Sequence, residues 1–298
     1  MTSSSAPGGE NRLALMAALS CYLIWGFVPL VFQAVNRLGV GPWEILAHRI
    51  VWSIPVAFLF VFLAKQGGHL REVLRNRRTL AWLFLSSLLI ATNWVVFIWA
   101  VTSNRMLESS LGYYINPLVN VLLGVVVLGE RLRRQQWLAV GFAAAGVSYL
   151  TWQAGALPWI ALMLALSFGG YGLLRKTVGV DAMAGLGTET LLTSPIAIAY
   201  LVYCELQGDG AFLKGDIGML LMLALSGLLT ALPLWLFSYG ARRVPYSTVG
   251  LLQYIGPTIS LALGVLVLHE PFGATRAVGF VFIWIGCLIY AIDSFRAR

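Results

Sequence analysis

One apolar stretch occurs twice in this sequence, and the pair dictates most of what the chain can become. Residues 110–130 (SLGYYINPLVNVLLGVVVLGE) return without a gap as residues 250–270 (GLLQYIGPTISLALGVLVLHE), an offset of 140. Tyr114/Tyr254, Pro117/Pro257, Gly124/Gly264 and Glu130/Glu270 fall in register. Each copy is apolar and close to the roughly 20 residues that a helix needs to cross a bilayer. Each also carries a proline in mid-segment. Such a proline removes one backbone hydrogen bond and pushes away the carbonyl four residues earlier, here those of Tyr113 and Gln253. In hydrocarbon, freed carbonyls are tolerated only against protein or a wet cavity. The same helical face carries Tyr113, Asn116 and Asn120 in the first copy, and Gln253 and Ser260 in the second. Two helices hinged at Pro117 and Pro257 are therefore expected to flank a cavity near the bilayer midplane, where transporters bind their solutes.

Composition supports this reading. Charged residues make up 11% of the chain and apolar ones 59%, whereas soluble domains carry roughly 25% charge. The expected fold class is an all-α polytopic membrane protein. Ten spans are expected at about 13–35, 43–64, 80–101, 109–128, 135–152, 158–175, 186–204, 217–239, 246–268 and 275–294. The connections are too short for a soluble catalytic domain. With the N-terminus inside, fifteen Lys and Arg fall on cytoplasmic segments, against only Arg37, Arg105, Lys214 and Arg276 outside. The positive-inside rule then places both termini in the cytoplasm. It also accounts for the net charge of +8 without a nucleic-acid partner. Cys21, Cys204 and Cys287 are scattered through apolar surroundings, which argues against a disulfide framework or a metal site. Residues 1–12 are expected to form a disordered tail. That tail lacks the basic start and cleavage site of a signal peptide.

The repetition extends beyond the opening pair. Residues 15–20 (LMAALS) echo 162–167 (LMLALS), followed by Trp25-Gly26 and Tyr171-Gly172. Pro55-Val-Ala echoes Pro195-Ile-Ala, and Ala139-Val-Gly-Phe142 echoes Ala277-Val-Gly-Phe280. Only the third and eighth spans show no echo and are placed by spacing. The chain thus divides into a tail (1–12), a first repeat (13–152) and a second repeat (153–298). Five spans per repeat is an odd number, so the second copy must sit inverted, an arrangement characteristic of transporters.

Trp25-Gly26, the run Glu44-Ile-Leu-Ala-His-Arg49, Asn93-Trp94, residues 110–117, Gly129-Glu130-Arg131 and residues 253–258 (QYIGPT) resemble the RarD branch of EamA-domain proteins, in the drug/metabolite transporter superfamily. The resemblance covers about residues 12–295. It implies ten spans in two inverted EamA repeats and export of small metabolites, amino acids or drugs across the bacterial inner membrane.

Candidate working residues follow from the helical faces. Tyr22, Trp25, Gly26 and Pro29 share a face of the first span, with Pro29 as a third hinge and Tyr171 as the counterpart of Trp25 in the sixth. These aromatics either wall a pocket, by stacking or cation–π contact, or pack ordinarily. Asn93 lies mid-span beside Trp94, and an amide there needs partners: a solute, Asn116 or a freed carbonyl. Tyr113, Gln253 and Tyr254 complete the expected lining. Glu44 and His48 share a face near the start of the second span. They form either a periplasmic-end network or a proton-coupling pair, ionisable groups in a membrane being functional candidates by default. Arg49 aligns at offset 140 with Glu189, a pair of opposite charges suited to gates on opposite sides. Glu108 beside Arg105 reads as a helix N-terminal acid, and Glu130 as a cytoplasmic-edge cap.

Enzyme chemistry finds no support. Metalloprotease, serine-hydrolase and phosphate-loop motifs are all absent, and no cofactor is implied. The expected function is a secondary transporter that exports small amphipathic solutes (amino acids or drug-like metabolites) by alternating access. Its partners would be that solute, the lipid bilayer and, if coupled, protons. A phosphorylated solute is disfavoured, because no mid-span cluster of Lys and Arg exists. The alternatives are an intramembrane enzyme or flippase for lipid-linked substrates, using Glu44/His48, and a passive channel.

Overall fold

The computed structural model describes residues 7–129, 132–214, 216–241 and 252–296, and helix is the only regular element in them. In chain order the helices are α1 (Pro7–Arg37), α2 (Pro42–Leu63), α3 (Gly67–Arg75), α4 (Arg77–Thr102), α5 (Met106–Leu128) and α6 (Arg134–Ala154). The second half holds α7 (Trp159–Val178), α8 (Ala182–Gln207), α9 (Ala211–Lys214), α10 (Ile217–Ala241), α11 (Ile255–Leu266) and α12 (Ala274–Arg296). Seven of these, α1, α2, α4, α5, α8, α10 and α12, contain segments long and apolar enough to cross a membrane. The apolar parts of α7 and α11 are shorter, and α6 stands where the fifth span was expected. Glu130, Arg131, Arg242, Arg243, the start of the expected ninth span at 246–251 and Arg298 lie outside the described residues.

Local chemistry sets several helix ends. The Asn76 side chain accepts hydrogen bonds from the backbone of Arg78 and Thr79, which meets two of the donors that a helix start leaves bare. Glycines in the left-handed conformation stop α5 at Gly129 (φ +67°) and α8 at Gly208 (φ +77°), as glycine does at little cost. Arg105 and Glu108 pair at the start of α5 through two contacts of 2.7 and 3.0 Å, as expected. Glu270 supplies the stronger device there. Its carboxylate accepts from the backbone N–H of Met106 (2.5 Å) and Leu107 (3.0 Å), so the end of one repeat copy caps the start of the other.

Packing follows an exchange of halves. α1 lies on α10 as α7 lies on α4; α1 lies on α11 as α7 lies on α5; and α2 lies on α10 as α8 lies on α4. Three pairs of counterparts pack on each other: α2 with α8, α5 with α11, and α6 with α12. The last is the closest. A Cβ on Gly146 would lie 2.8 Å from the Gly279 carbonyl oxygen, and one on Gly286 would lie 2.7 Å from that of Ala139. The two contacts are images of each other, since Gly146 and Gly286, like Ala139 and Gly279, stand 140 residues apart, and their order makes the two helices antiparallel. Small residues at a crossing let helix backbones meet where no water drives association.

Three expectations need correction. Pro257 is not in mid-helix: α11 starts at Ile255, so this proline occupies the first turn, where its missing N–H has no helical partner to lose. Pro117, by contrast, sits inside the continuous α5. Both prolines are buried against protein. The tail expected to be disordered over 1–12 already carries helix from Pro7, a residue suited to a first helical turn. The third and eighth spans do echo each other. Ser86 bonds the Leu83 carbonyl at 3.0 Å and Ser226 bonds that of Leu223 at 2.6 Å, again 140 residues apart.

Candidate functional site

A buried seam of rings runs between the two charged counterparts Arg49 and Glu189. The Arg49 guanidinium lies 4.2 Å from the Trp94 ring centre and 5.4 Å from that of Phe32. Edge contacts then lead from Phe32 to Phe97 (6.4 Å) and on to Tyr113 (5.6 Å). From Tyr113 the path continues to Phe168 (6.4 Å) and Tyr171 (6.1 Å), and the Tyr171 hydroxyl donates to Glu189 at 3.4 Å. Helices α1, α2, α4, α5, α7 and α8 all contribute. Of the expected lining, Trp94, Tyr113 and Tyr171 stand on this path. Phe32, Phe97 and Phe168 complete it, and apolar rings in apolar spans gave no separate signal for the first two.

The two charged ends are built alike. Each sits on a counterpart helix, α2 or α8, and each reaches a hydroxyl on the opposite half. Arg49 Nε donates to Thr230 Oγ1 of α10 at 2.5 Å, and Ser86 of α4 donates to Glu189. One turn further on, Ser53 returns a bond to the Arg49 carbonyl (2.6 Å) and Thr193 one to that of Glu189 (2.9 Å). Among the described residues only Glu189 has an ionic partner, Arg175 Nη1 at 3.8 Å.

Asn93 holds the centre of the seam together. Its Nδ2 donates to the Leu164 carbonyl (2.9 Å) and to Ser167 (3.1 Å), and its Oδ1 accepts from the Tyr113 hydroxyl (3.0 Å). At 1% exposure, both amide donors and the acceptor are engaged. In this conformation Asn93 ties α4 to α7 and α5 instead of offering a free amide to a solute, because three neighbours already meet the demand that a buried amide makes. Asn116, one turn from Tyr113, is also buried, and its Oδ1 carries no hydrogen bond among the described residues.

The remaining candidates lie apart. Tyr22 and Trp25 form an aromatic cluster with Phe237 of α10, at 5.8 to 6.3 Å, with Pro29 one turn on in α1. Tyr254 stacks on Tyr114 at 6.2 Å, and Tyr114 bonds Thr258 at 2.7 Å, so these side chains seal α5 against α11. Gln253 lies half-buried in the turn before α11. Glu44 accepts from the backbone N–H of Ala211 at 2.6 Å, fastening α2 to the start of α9. His48 Nε2 is 3.9 Å from Glu44 and lines a lateral groove of about 380 Å³ between α2 and α8, with Trp52, Leu201, Glu205 and Phe212. His48 Nε2 itself makes no hydrogen bond among the described residues.

Glu44 has a counterpart at the other end of the same helix pair. Gln66, just beyond α2, accepts from the backbone N–H of Ala184 at the start of α8 (3.2 Å). Each end of the α2–α8 pair is thus latched by a side chain on a backbone N–H across the halves.

Comparison with known proteins agrees with this architecture. A model of the EamA-like transporter family matches residues 12–152 and again 157–292. Protein RarD of Streptomyces exfoliatus is 42% identical over 96% of this chain and 90% of its own length. The uncharacterized transporter YojE of Bacillus subtilis is 42% identical over 96% of each chain. The chloramphenicol-sensitive protein RarD of Pseudomonas aeruginosa is 35% identical over 95% of this chain and 94% of its own length. A solved crystal structure superposes with a TM-score of 0.61 at 19% identity, covering 96% of this chain and 98% of that one, a likeness of fold alone.

Proposed function

The chain belongs to the EamA-like transporter family as a RarD-like member, and on that premise we propose that it is a ten-span carrier of the bacterial inner membrane working by alternating access. Its two five-helix halves are inverted copies, both termini face the cytoplasm, and the solute path follows the ring seam from Arg49 to Glu189. The observation that carries the reading is the matched pair of latches on α2 and α8. Glu44 holds Ala211 at one end and Gln66 holds Ala184 at the other. In an inverted repeat, exchanging the conformations of the halves closes one such end as it opens the other. The antiparallel crossing of α6 on α12 supports the inversion, and the Glu270 cap on α5 supports placing both of those segments on one side. Pro117, inside α5 and beside Asn116, is the hinge best placed to move the seam. The cargo is a small amphipathic solute, an amino acid or drug-like metabolite, exported from the cytoplasm.

The test is counterflow. Proteoliposomes loaded with unlabelled solute are expected to accumulate the same radiolabelled solute transiently, across a panel of amino acids and chloramphenicol, for at least one member. Saturable overshoot identifies a carrier. Flux that rises linearly with concentration and ignores the internal solute would identify a channel and end the proposal.

A further inference from the structure

Arg49 is a buried cation for which the described residues supply no anion. Its Nε is committed to Thr230, while the two terminal nitrogens make no hydrogen bond to the described residues. None of the described carboxylates pairs with it; Glu44, Glu108, Asp293 and Glu189 each have other partners. The residue is 5% exposed and lies seven residues into α2, about 10 Å along the helix axis. The faces of Trp94 and Phe32 offset part of the cost of holding a charge there. They do not replace a counter-ion. The contrast with Glu189 sharpens the point. The two residues occupy matching places in the two halves, yet Glu189 is compensated by Arg175, Ser86 and Tyr171, and Arg49 meets only the Thr230 hydroxyl and ring faces among the described residues. A guanidinium with its fork of terminal N–H groups unused fits a carboxylate in bidentate fashion. The walls beside it are rings: Trp94, Phe32 and, through Phe32, Phe97. Tyr113 lies within electrostatic reach of the same charge.

We propose that Arg49 is the counter-charge for a carboxylate on the transported solute, and that the cargo is a small organic monoanion with an apolar or aromatic body. The inference rests on the transporter reading and narrows it to a substrate class. One cation neutralises one negative charge, so a dianion or phosphate would leave charge uncovered in a low-dielectric site. A neutral amide of the same shape would leave the guanidinium unmet.

Acid–amide pairs test this on the purified full-length protein: benzoate with benzamide, and phenylacetate with phenylacetamide. At least one acid is expected to raise the melting temperature and to bind roughly 10- to 100-fold more tightly than its amide, the range for a hydrogen-bonded charge. Arg49→Lys should keep part of that preference and Arg49→Met none. The empty Arg49→Met protein should melt at or above the wild type, because removing a bare buried charge removes its desolvation cost. Parity of acids and amides, or no stabilisation by any acid, would overturn the proposal. So would a melting temperature several degrees lower in Arg49→Met, the mark of a structural strut. Liposome exchange separates the two layers. An acid preference without exchange of any solute would sink the transporter reading and leave the anion site standing, whereas amides exchanging as fast as acids would do the reverse.

Discussion

Replacing Arg175 with methionine is expected to destabilise the folded protein by about 3–5 kcal/mol, the usual result of stripping one partner from a buried ion pair. Glu189 is 6% and Arg175 16% exposed on their side chains, so water compensates little for the loss. Among the described residues Glu189 would keep only Ser86 and Tyr171, two neutral donors for a full charge. Adding Glu189→Gln to Arg175→Met should recover most of the stability, because the neutral amide can accept from one hydroxyl through its oxygen and donate to the other through its nitrogen. Glu189→Gln alone should cost less than Arg175→Met, since Arg175 retains the Asp181 carbonyl at 3.3 Å and reaches solvent. A double-mutant cycle by thermal or denaturant melting measures the coupling. Strict additivity would mean that the 3.8 Å contact is not an ion pair in the folded protein.

The second large effect is steric. Gly146→Leu and Gly286→Leu are each expected to destabilise by about 1–3 kcal/mol, the range for overpacking a tight contact. In each case the obstacle is backbone that cannot rotate away: the Gly279 carbonyl for the first and the Ala139 carbonyl for the second. Because the two sites are images of each other, their losses should be similar. Melting curves of both variants check this. Neutrality of either would contradict the close crossing of α6 and α12, and a large inequality would contradict the equivalence of the halves.

Much of this was legible in the letters, for reasons that differ by residue. The duplicated stretch announced the two halves because helices facing the same neighbours are held to the same pattern of small, ring-bearing and proline residues. The seam was legible in part. Tyr113 and Tyr171 stand out because each puts a hydroxyl in an apolar span, whereas Phe32 and Phe97 look like any other core ring. The role of Asn93 depended on what stands opposite. The Leu164 carbonyl and Ser167 lie on another helix, and sequence spacing does not reveal which faces meet. Pro257 misled for a related reason. Its alignment with Pro117 is perfect, but Leu252 is helical, a turn at 253–254 interrupts the helix, and α11 starts at Ile255, two residues before the proline. The echo between α4 and α10 rests on Leu83/Leu223 and Ser86/Ser226, too sparse to notice until both serines are seen making the same bond.

The account depends on the two ends of the α2–α8 pair opening in turn. Spin labels at Trp43 and Phe212 report the end latched by Glu44, and labels at Lys65 and Gly179 report the end latched by Gln66; all four positions are exposed. With Cys21, Cys204 and Cys287 replaced, distances in lipid nanodiscs are measured with and without a solute that gives counterflow. The prediction is antiphase movement, one distance lengthening as the other shortens. Two distances that lengthen together, or that both stay fixed while solute exchanges, would contradict it.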